Sequence, residues 1–174
     1  MMAVYAAMID RIDFAMGTLV EGLRQRNMLH NTLILFLSDN GGNAEGGPPG
    51  ETNGQGPIGG PDSHVKLGMN WATVTTVPFR RFKHFTHEGG ISTPFIASWP
   101  AGIAKERRNQ LEHQPAHLVD IMATIVDLSG ARYPQEKDGI TIEPRQGVSL
   151  RPAFQAMSLN RSQPICWEHE GNKA

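Results

Sequence analysis

An apolar run that ends in two oxygen-bearing side chains constrains the fold of this chain more than any other feature. The run covers residues 32–37, and Ser38, Asp39, Asn40 and two glycines follow it directly. A strand without polar alternation is typical of a parallel sheet covered on both faces, and ligands of such sheets gather beyond the carboxyl ends of the strands. Asp39 and Asn40 therefore form either a cation site or a tight turn, because Asn and Gly also suit left-handed turn backbone.

The composition excludes several classes of partner. The chain has 174 residues and a formal net charge of -1, so it lacks the concentrated basic charge that nucleic acids or an anionic membrane surface require. Cys166 is the single cysteine, which excludes an internal disulfide framework. No apolar run approaches the roughly 18–20 residues that span a bilayer, so no membrane span is expected.

Three segments have helical periodicity. The first covers residues 4–23, where apolar residues recur at steps of three and four, and the second covers residues 118–128 and ends at Gly130. A short helix is expected within residues 150–157. The apolar stripe of the first helix consists of Val4, Met8, Ile12, Ala15, Leu19 and Leu23.

Strands are predicted between these helices. Besides residues 33–37, strands are expected at residues 93–100, after a turn at Gly89 and Gly90, and at residues 163–167, where Cys166 would be a small buried apolar residue. Residues 41–62 contain Gly or Pro every few positions and predict a long loop beside Asp39 and Asn40. The alternation predicts an α/β fold with a partial, mostly parallel sheet flanked by helices.

Both ends of the sequence predict a chain cut from a longer one. The helical pattern is already under way at Met1 without a capping residue, and residues 168–174 contain no terminating signal. We therefore expect both ends of the fold to be truncated.

Five segments of the sequence resemble motifs of a known protein family and follow one another in the same order. They are residues 5–13 (YAAMIDRID), 37–42 (LSDNGG), 83–91 (KHFTHEGGI, then Pro94), 117–124 (HLVDIMAT) and 167–172 (WEHEGN). Together they resemble the sulfatase family of the alkaline-phosphatase-like fold, in particular arylsulfatase-type enzymes. The fourth segment departs from the family pattern in Ala123, where Pro is usual.

The resemblance implies roles for individual residues. Asp39 and Asn40 would ligate a divalent cation, usually Ca²⁺ and alternatively Mg²⁺, while an Asp pair absent from this chain and the sulfate itself would complete the shell. Lys83 would contact a sulfate oxygen, and His87 could reach the same site. Composition alone favours a solvated basic face for Lys83 with Arg80, Arg81 and His84, and only the adjacent Glu-Gly-Gly-Ile pattern distinguishes Lys83 from that face. Glu88 is equally suited to holding a turn through backbone hydrogen bonds.

Two histidine pairs have spacings that can bind zinc. They are His84 with His87 and His113 with His117, but neither pair has Cys or carboxylate partners in order. Histidines of this kind are more often surface or packing residues.

The resemblance also identifies what this chain lacks. The family's nucleophile is a formylglycine made from a C/S-x-P-S-R segment, which is absent here, and Cys166 precedes Trp-Glu-His and cannot be that residue. Residues 1–174 are therefore expected to be the C-terminal part of one catalytic domain, without its small C-terminal subdomain and inactive without the N-terminal half.

The expected parent protein hydrolyses sulfate esters. It would be periplasmic, secreted or otherwise extracytoplasmic, as is common in the family, and the sequence leaves its oligomeric state open. The alternatives are a phosphodiesterase or phosphonate hydrolase of the same superfamily, and a non-catalytic sulfate-binding pseudoenzyme.

Overall fold

The computed structural model describes all residues 1–174 and divides into two compact units. Unit 1 comprises Met1–His30, Ile34–Ala97 and Cys166–Ala174, and unit 2 comprises Asn31–Leu33 and Ser98–Ile165. Asp39, Asn40 and Lys83, which the sequence pattern singles out, all belong to unit 1.

Helix α1 covers Met2–Gln25 and confirms the helix predicted over residues 4–23. No residue of α1 is buried. Met8, Ile12 and Leu19 of the predicted apolar stripe are 59%, 47% and 51% exposed. The apolar residues therefore recur with helical periodicity along α1, but none of them is buried in the core of unit 1. Neither α1 nor any other helix has the length and apolar character needed to cross a membrane.

Eight short strands form four separate two-stranded sheets. The strands are β1 Ile34–Leu37, β2 Glu51–Gly54, β3 Ser63–Lys66, β4 Phe95–Ser98, β5 Glu136–Lys137, β6 Ile140–Thr141, β7 Glu168–His169 and β8 Asn172–Lys173. Strand β1 pairs with β4, which confirms strands within both predicted segments. The other three pairs are antiparallel hairpins.

A mostly parallel sheet is therefore not clear in this chain, and that part of the prediction needs correction. Parallel pairing requires a crossover connection of a dozen or more residues, whereas a short turn is enough for an antiparallel hairpin. The turns of this chain join neighbouring segments into hairpins, as in β5–β6 and β7–β8.

The loop predicted over residues 41–62 contains regular structure. Its second half includes β2, which pairs with β3 in the register Glu51 to Lys66 and Gly54 to Ser63. Glu51 and Lys66 form an ion pair of 3.0 Å across the two strands. The prediction of a structureless loop was wrong here because glycines provide turns within it: Gly54 and Gly59 have φ values of 101° and 87°.

Two further local predictions were wrong. The expected turn at Gly89 and Gly90 is a one-turn helix, α3 Glu88–Ile91. The strand expected at residues 163–167 is absent, because the local pairing is the β7–β8 hairpin, closed by hydrogen bonds between Trp167 and Ala174 of 2.9 and 3.1 Å. Cys166, expected to be buried on that strand, is exposed.

The other predicted helices are present. Helix α4 covers Val119–Ser129 and ends at Gly130, whose left-handed φ of 68° confirms the predicted cap. Helix α5 covers Arg151–Phe154, within the predicted range, and helix α2 Gly68–Thr75 was not predicted. In unit 2, α4 contacts α5, and both helices contain buried residues; Leu150 and Leu159 are buried as well. In unit 1, Ala72 of α2 and Phe82 are buried.

Candidate functional site

The turn after β1, residues 38–42, is fastened to a second segment of unit 1. We call residues 38–42 the strand-end turn and residues 80–91 the lysine segment. The Gly41 N–H donates to the Gly90 carbonyl at 3.0 Å, and the Lys83 N–H donates to the Gly42 carbonyl at 3.1 Å. The Thr93 hydroxyl donates to the Ser38 carbonyl at 2.7 Å. These bonds place the backbone of Lys83 beside the turn that carries Asp39 and Asn40.

Glycines allow the two segments to approach this closely. A Cβ atom on Gly41 would lie 1.8 Å from the Gly89 carbonyl oxygen, across the two segments. Within the lysine segment, a Cβ atom on Gly89 would lie 2.0 Å from the Arg81 carbonyl oxygen. Neither glycine has a positive φ, and Asn40 does not either. Gly41 is therefore explained by backbone proximity, and the left-handed turn considered from the sequence does not occur there.

Asp39 is exposed, and Asn40 is half-buried. The Asn40 backbone carbonyl accepts a hydrogen bond of 3.0 Å from the Ser38 hydroxyl, while neither the Asp39 carboxylate nor the Asn40 side-chain amide is hydrogen-bonded within the protein. Their side-chain oxygens are therefore available to a ligand from outside.

The chemistry of this donor pair fits a hard cation but fills only part of its shell. Ca²⁺ takes six to eight oxygen ligands from carboxylates, amides and other oxygens. No group of three or more His, Cys, Asp or Glu side chains in the structure is arranged to hold a metal ion. Asp39 and Asn40 would thus supply two of the ligands.

Lys83 is half-buried in a segment with its own packing. Its neighbour Phe82 is 6% exposed and meets the Phe85 ring edge-on at 5.2 Å between centroids. The Arg81 guanidinium lies over the Phe85 ring at 4.7 Å. The structure therefore separates the members of the basic run, because Arg81 stacks on an aromatic ring while Lys83 is held through its backbone at the strand-end turn.

His87 and Glu88 lie at the start of α3. The half-buried His87 accepts hydrogen bonds through its backbone carbonyl from Gly90 at 2.7 Å and Ile91 at 3.2 Å, and its ring lies edge-on to Phe85. Glu88 is exposed, and its carboxylate accepts no backbone hydrogen bond, so the turn-holding role considered for it is not present.

The two histidine pairs singled out by spacing have different surroundings. His117 lies at the start of α4, where its Nδ1 accepts a hydrogen bond from the Val119 N–H at 3.3 Å. His84 contacts His169 of the β7–β8 hairpin, with 3.5 Å between His84 Nδ1 and His169 Nε2. Sequence spacing could not have found this contact, because the two residues are 85 positions apart.

Sequence reasoning also missed a buried carboxylate, Asp120, in unit 2. It is fully buried and accepts hydrogen bonds from the backbone of His117 at 2.7 Å and Val148 at 2.8 Å, and from the Arg161 guanidinium at 2.5 Å. Asp120 lies in the family-like segment 117–124, but that resemblance gave it no role, and an acidic residue in the first turn of a helix is common. These donors give Asp120 a structural role.

The comparisons with known proteins agree with the motif pattern. The sulfatase family model matches residues 1–131. The chain is 33% identical over 159 residues to an arylsulfatase of Klebsiella aerogenes, a match that covers 86% of this chain and 34% of that protein. It is 28% identical over 156 residues to the human N-acetylgalactosamine-6-sulfatase, with 86% and 25% covered, and 29% identical over 143 residues to the rat steryl-sulfatase, with 80% and 21% covered.

The chain therefore spans between about a fifth and a third of the length of these relatives. The family match covers three quarters of the chain, including the strand-end turn, the lysine segment and α4. This chain belongs to the sulfatase family.

Proposed function

We propose that this chain carries one part of the active site of a sulfuric ester hydrolase of the arylsulfatase type. In this proposal Asp39 and Asn40 ligate a divalent cation, Ca²⁺ or alternatively Mg²⁺, and Lys83 contacts a sulfate oxygen. The observation that carries the proposal is the hydrogen bonding of the strand-end turn to the lysine segment, which joins Lys83 to Gly42 at 3.1 Å. Family membership gives the chemistry to which these side chains are assigned.

The electrostatics of sulfate transfer account for this choice of side chains. A sulfuryl group in transfer carries negative charge on its oxygens, and fixed cationic groups stabilise that charge in the transition state. A divalent cation bound at the turn would neutralise the same charge. Lys83 is suited to the task because its backbone is fixed by hydrogen bonds and the residue is half-buried, so its ammonium group loses less freedom when it meets the sulfate than that of a fully exposed lysine would.

His87 is assigned a secondary role in the same site. It directly precedes α3, whose glycines contact the strand-end turn, and its ring lies edge-on to Phe85 of the lysine segment. We place it as a hydrogen-bond donor to the substrate rather than as the nucleophile.

The remaining parts of the site would come from the rest of a longer protein. The relatives that match are three to five times longer than the matched part of this chain. We propose that residues 1–174 are the C-terminal portion of one catalytic domain. A formylglycine nucleophile and further cation ligands would come from the N-terminal portion, so that residues 1–174 alone give no turnover. The parent is proposed to act outside the cytoplasm.

The test compares two aspartates in the full-length protein. Asp39→Asn removes one anionic cation ligand without changing the side-chain volume, and Asp138→Asn makes the same change at an exposed hairpin turn. We expect Asp39→Asn to lower both bound calcium and turnover of an aryl sulfate, the latter roughly 10²–10³-fold, while Asp138→Asn changes neither. Unchanged calcium content and turnover in Asp39→Asn would overturn the metal assignment.

The substrate class needs a separate measurement. Turnover of an aryl sulfate should exceed turnover of the matched aryl phosphodiester in the full-length protein. The reverse preference would identify a phosphodiesterase or phosphonate hydrolase, and sulfate binding without turnover of either ester would identify a pseudoenzyme.

A further inference from the structure

The contact between His84 and His169 has the nitrogen separation expected of two ligands of one metal ion. His84 belongs to the lysine segment and His169 to the β7–β8 hairpin, both within unit 1. His84 Nδ1 and His169 Nε2 are 3.5 Å apart, and the rings are inclined by 38°. Two Zn–N bonds of about 2.0–2.1 Å at a tetrahedral angle separate the nitrogens by about 3.3–3.4 Å, close to the observed distance.

The backbone that carries each imidazole is held in place. The hairpin of His169 is fixed by the paired hydrogen bonds of Trp167 and Ala174 and by the Glu168 carboxylate, which accepts the Gly171 N–H at 2.8 Å. His84 has a left-handed backbone with a φ of 80°, a conformation that costs a residue with a Cβ atom about 1–2 kcal/mol. Surrounding structure must maintain such a conformation, and non-glycine residues of this kind cluster at functional sites.

Both rings are also accessible to a metal ion. His84 and His169 are exposed, and the facing nitrogens have no hydrogen-bond partner other than each other. An ion can therefore reach them without passing through the core. Metal binding would require both facing nitrogens to be unprotonated, so His84 would carry its proton on Nε2 and His169 on Nδ1.

We propose that His84 and His169 form a two-histidine site for a transition-metal dication of the Zn²⁺ type, distinct from the oxygen-ligand site at Asp39 and Asn40. Imidazole nitrogens prefer Zn²⁺, Cu²⁺ and Ni²⁺, whereas Ca²⁺ and Mg²⁺ prefer oxygen. Binding of one ion requires the lone pairs of His84 Nδ1 and His169 Nε2 to converge on it. With water in the remaining positions, the ion links the β7–β8 hairpin to the lysine segment.

This proposal does not depend on the sulfatase activity, so its test uses metal binding alone. The intact protein is first saturated with Ca²⁺ to occupy the oxygen-ligand site, and ZnCl₂ is then titrated in by calorimetry. We expect one Zn²⁺ site, weakened at least about tenfold by either His84→Asn or His169→Gln. The double variant should lose little more than either single variant, because both ligands act together.

A matched control is available in the same unit. His64 is an exposed histidine of β3, and His64→Gln should leave Zn²⁺ affinity within about twofold of the unchanged protein. Circular dichroism of each variant shows whether the fold is retained. Equal Zn²⁺ affinity in the His64, His84 and His169 variants, or no saturable Zn²⁺ binding at all, would overturn the proposal.

A measurement without substitution protects the test against variants that misfold. Crystals of the unchanged protein soaked in ZnCl₂ should show an anomalous scattering peak about 2.0–2.1 Å from both His84 Nδ1 and His169 Nε2. A peak that contacts only one of them, or none of them, would contradict a shared site.

Discussion

Two aspartates in this chain have opposite surroundings. Asp120 in unit 2 is fully buried, and its oxygens accept hydrogen bonds from two backbone N–H groups and from Arg161. Asp39 in unit 1 is exposed at the end of β1 and accepts no hydrogen bond from the protein. One carboxylate has its charge neutralised by the fold, while the other retains its full capacity for an external ligand.

The difference separates structural carboxylates from candidate ligands. A buried carboxylate is tolerated only when donors and an opposite charge compensate its desolvation, so Asp120 holds the start of α4 to residues 148 and 161. An exposed carboxylate on a rigid turn is not desolvated by the fold, so it does not need such donors or an opposite charge. The rigidity around Asp39 comes from backbone hydrogen bonds and glycine contacts nearby, which position the side chain without using its oxygens.

The largest expected effect is on stability, from Asp120→Ala. This change leaves the Arg161 guanidinium and two N–H groups without their acceptor, and we expect the free energy of unfolding to fall by about 3–5 kcal/mol. Urea unfolding of the intact protein measures it. Asp127→Ala on the exposed face of α4 is the matched control and should cost no more than about 1 kcal/mol. The comparison fails if Asp39→Ala, measured with a chelator present, is as destabilising as Asp120→Ala.

The second effect concerns the cation. If Asp39 is a ligand, a Ca²⁺ concentration of 100 times the Kd should stabilise the unchanged protein by about 2.7 kcal/mol, and Asp39→Asn should lose most of this increment. Unfolding with and without Ca²⁺ measures the increment for both proteins. Asp138→Asn should keep it. An equal Ca²⁺ increment in all three proteins would show that Asp39 has no part in cation binding.

The sequence predicted the elements that local periodicity and capping determine. Helix α1, strand β1 and the Gly130 cap were recognised because each depends on residues a few positions apart. The His84–His169 contact was not, since a contact across 85 positions leaves no local signal. The β7–β8 hairpin was missed although its pairing is local, because residues 163–167 were assigned to the strand instead. The motif pattern assigned Asp39, Asn40, Lys83 and His87 to one site, and these assignments remain predictions.

The property that makes the glycines of the site necessary is close approach and not left-handed backbone. One of the two alternatives from the sequence gave Gly41 and Gly42 left-handed turn backbone, whereas in the structure these glycines allow close approach to α3 and α2. Such contacts join segments distant in the chain, so only the fold reveals them. Their energetic importance can be measured directly.

Gly41→Ala tests the fixed geometry of the strand-end turn. The added methyl group would meet the Gly89 carbonyl at 1.8 Å, so backbone must shift, and we expect a loss of about 1–3 kcal/mol in the free energy of unfolding. Gly17→Ala in α1 is the control, because nothing lies within 4 Å of its added Cβ. It should be neutral or stabilise the helix by up to about 1 kcal/mol. Equal free energies of unfolding for the two variants would mean that the strand-end turn accommodates the added methyl group without loss of stability.

The carboxylate of Glu112 is intermediate between those of Asp39 and Asp120 in its exposure and hydrogen bonding. Its substitution is expected to have the smallest effect on the free energy of unfolding. Its side chain is 35% exposed, and it accepts hydrogen bonds of 2.9 Å from the His113 and Gln114 N–H groups and from Arg107. The hydrogen bond from the Gln114 backbone is the main cause that lowers the pKa of Glu112 from its usual 4.5, and the His113 N–H and Arg107 contribute in the same direction. Its ionised form is therefore favoured by folding.

The sign of the pH dependence follows from this lowered pKa. A carboxyl group whose pKa is lower in the folded state contributes stability above its unfolded pKa of 4.5, and the contribution disappears as the pH falls through the folded value. Glu112→Gln should thus be less stable than the unchanged protein at pH 6–7, and the gap should close in acid below about pH 4.5. Urea unfolding across pH 3–7 measures the gap, with Glu106→Gln, an exposed neighbour without a hydrogen-bonded carboxylate, as control. A stability difference between the two proteins that is independent of pH would mean that the charge of Glu112 is not stabilised by its donors. Glu112 would then resemble the exposed Asp39, whose carboxylate accepts no hydrogen bond from the protein, and not the buried Asp120.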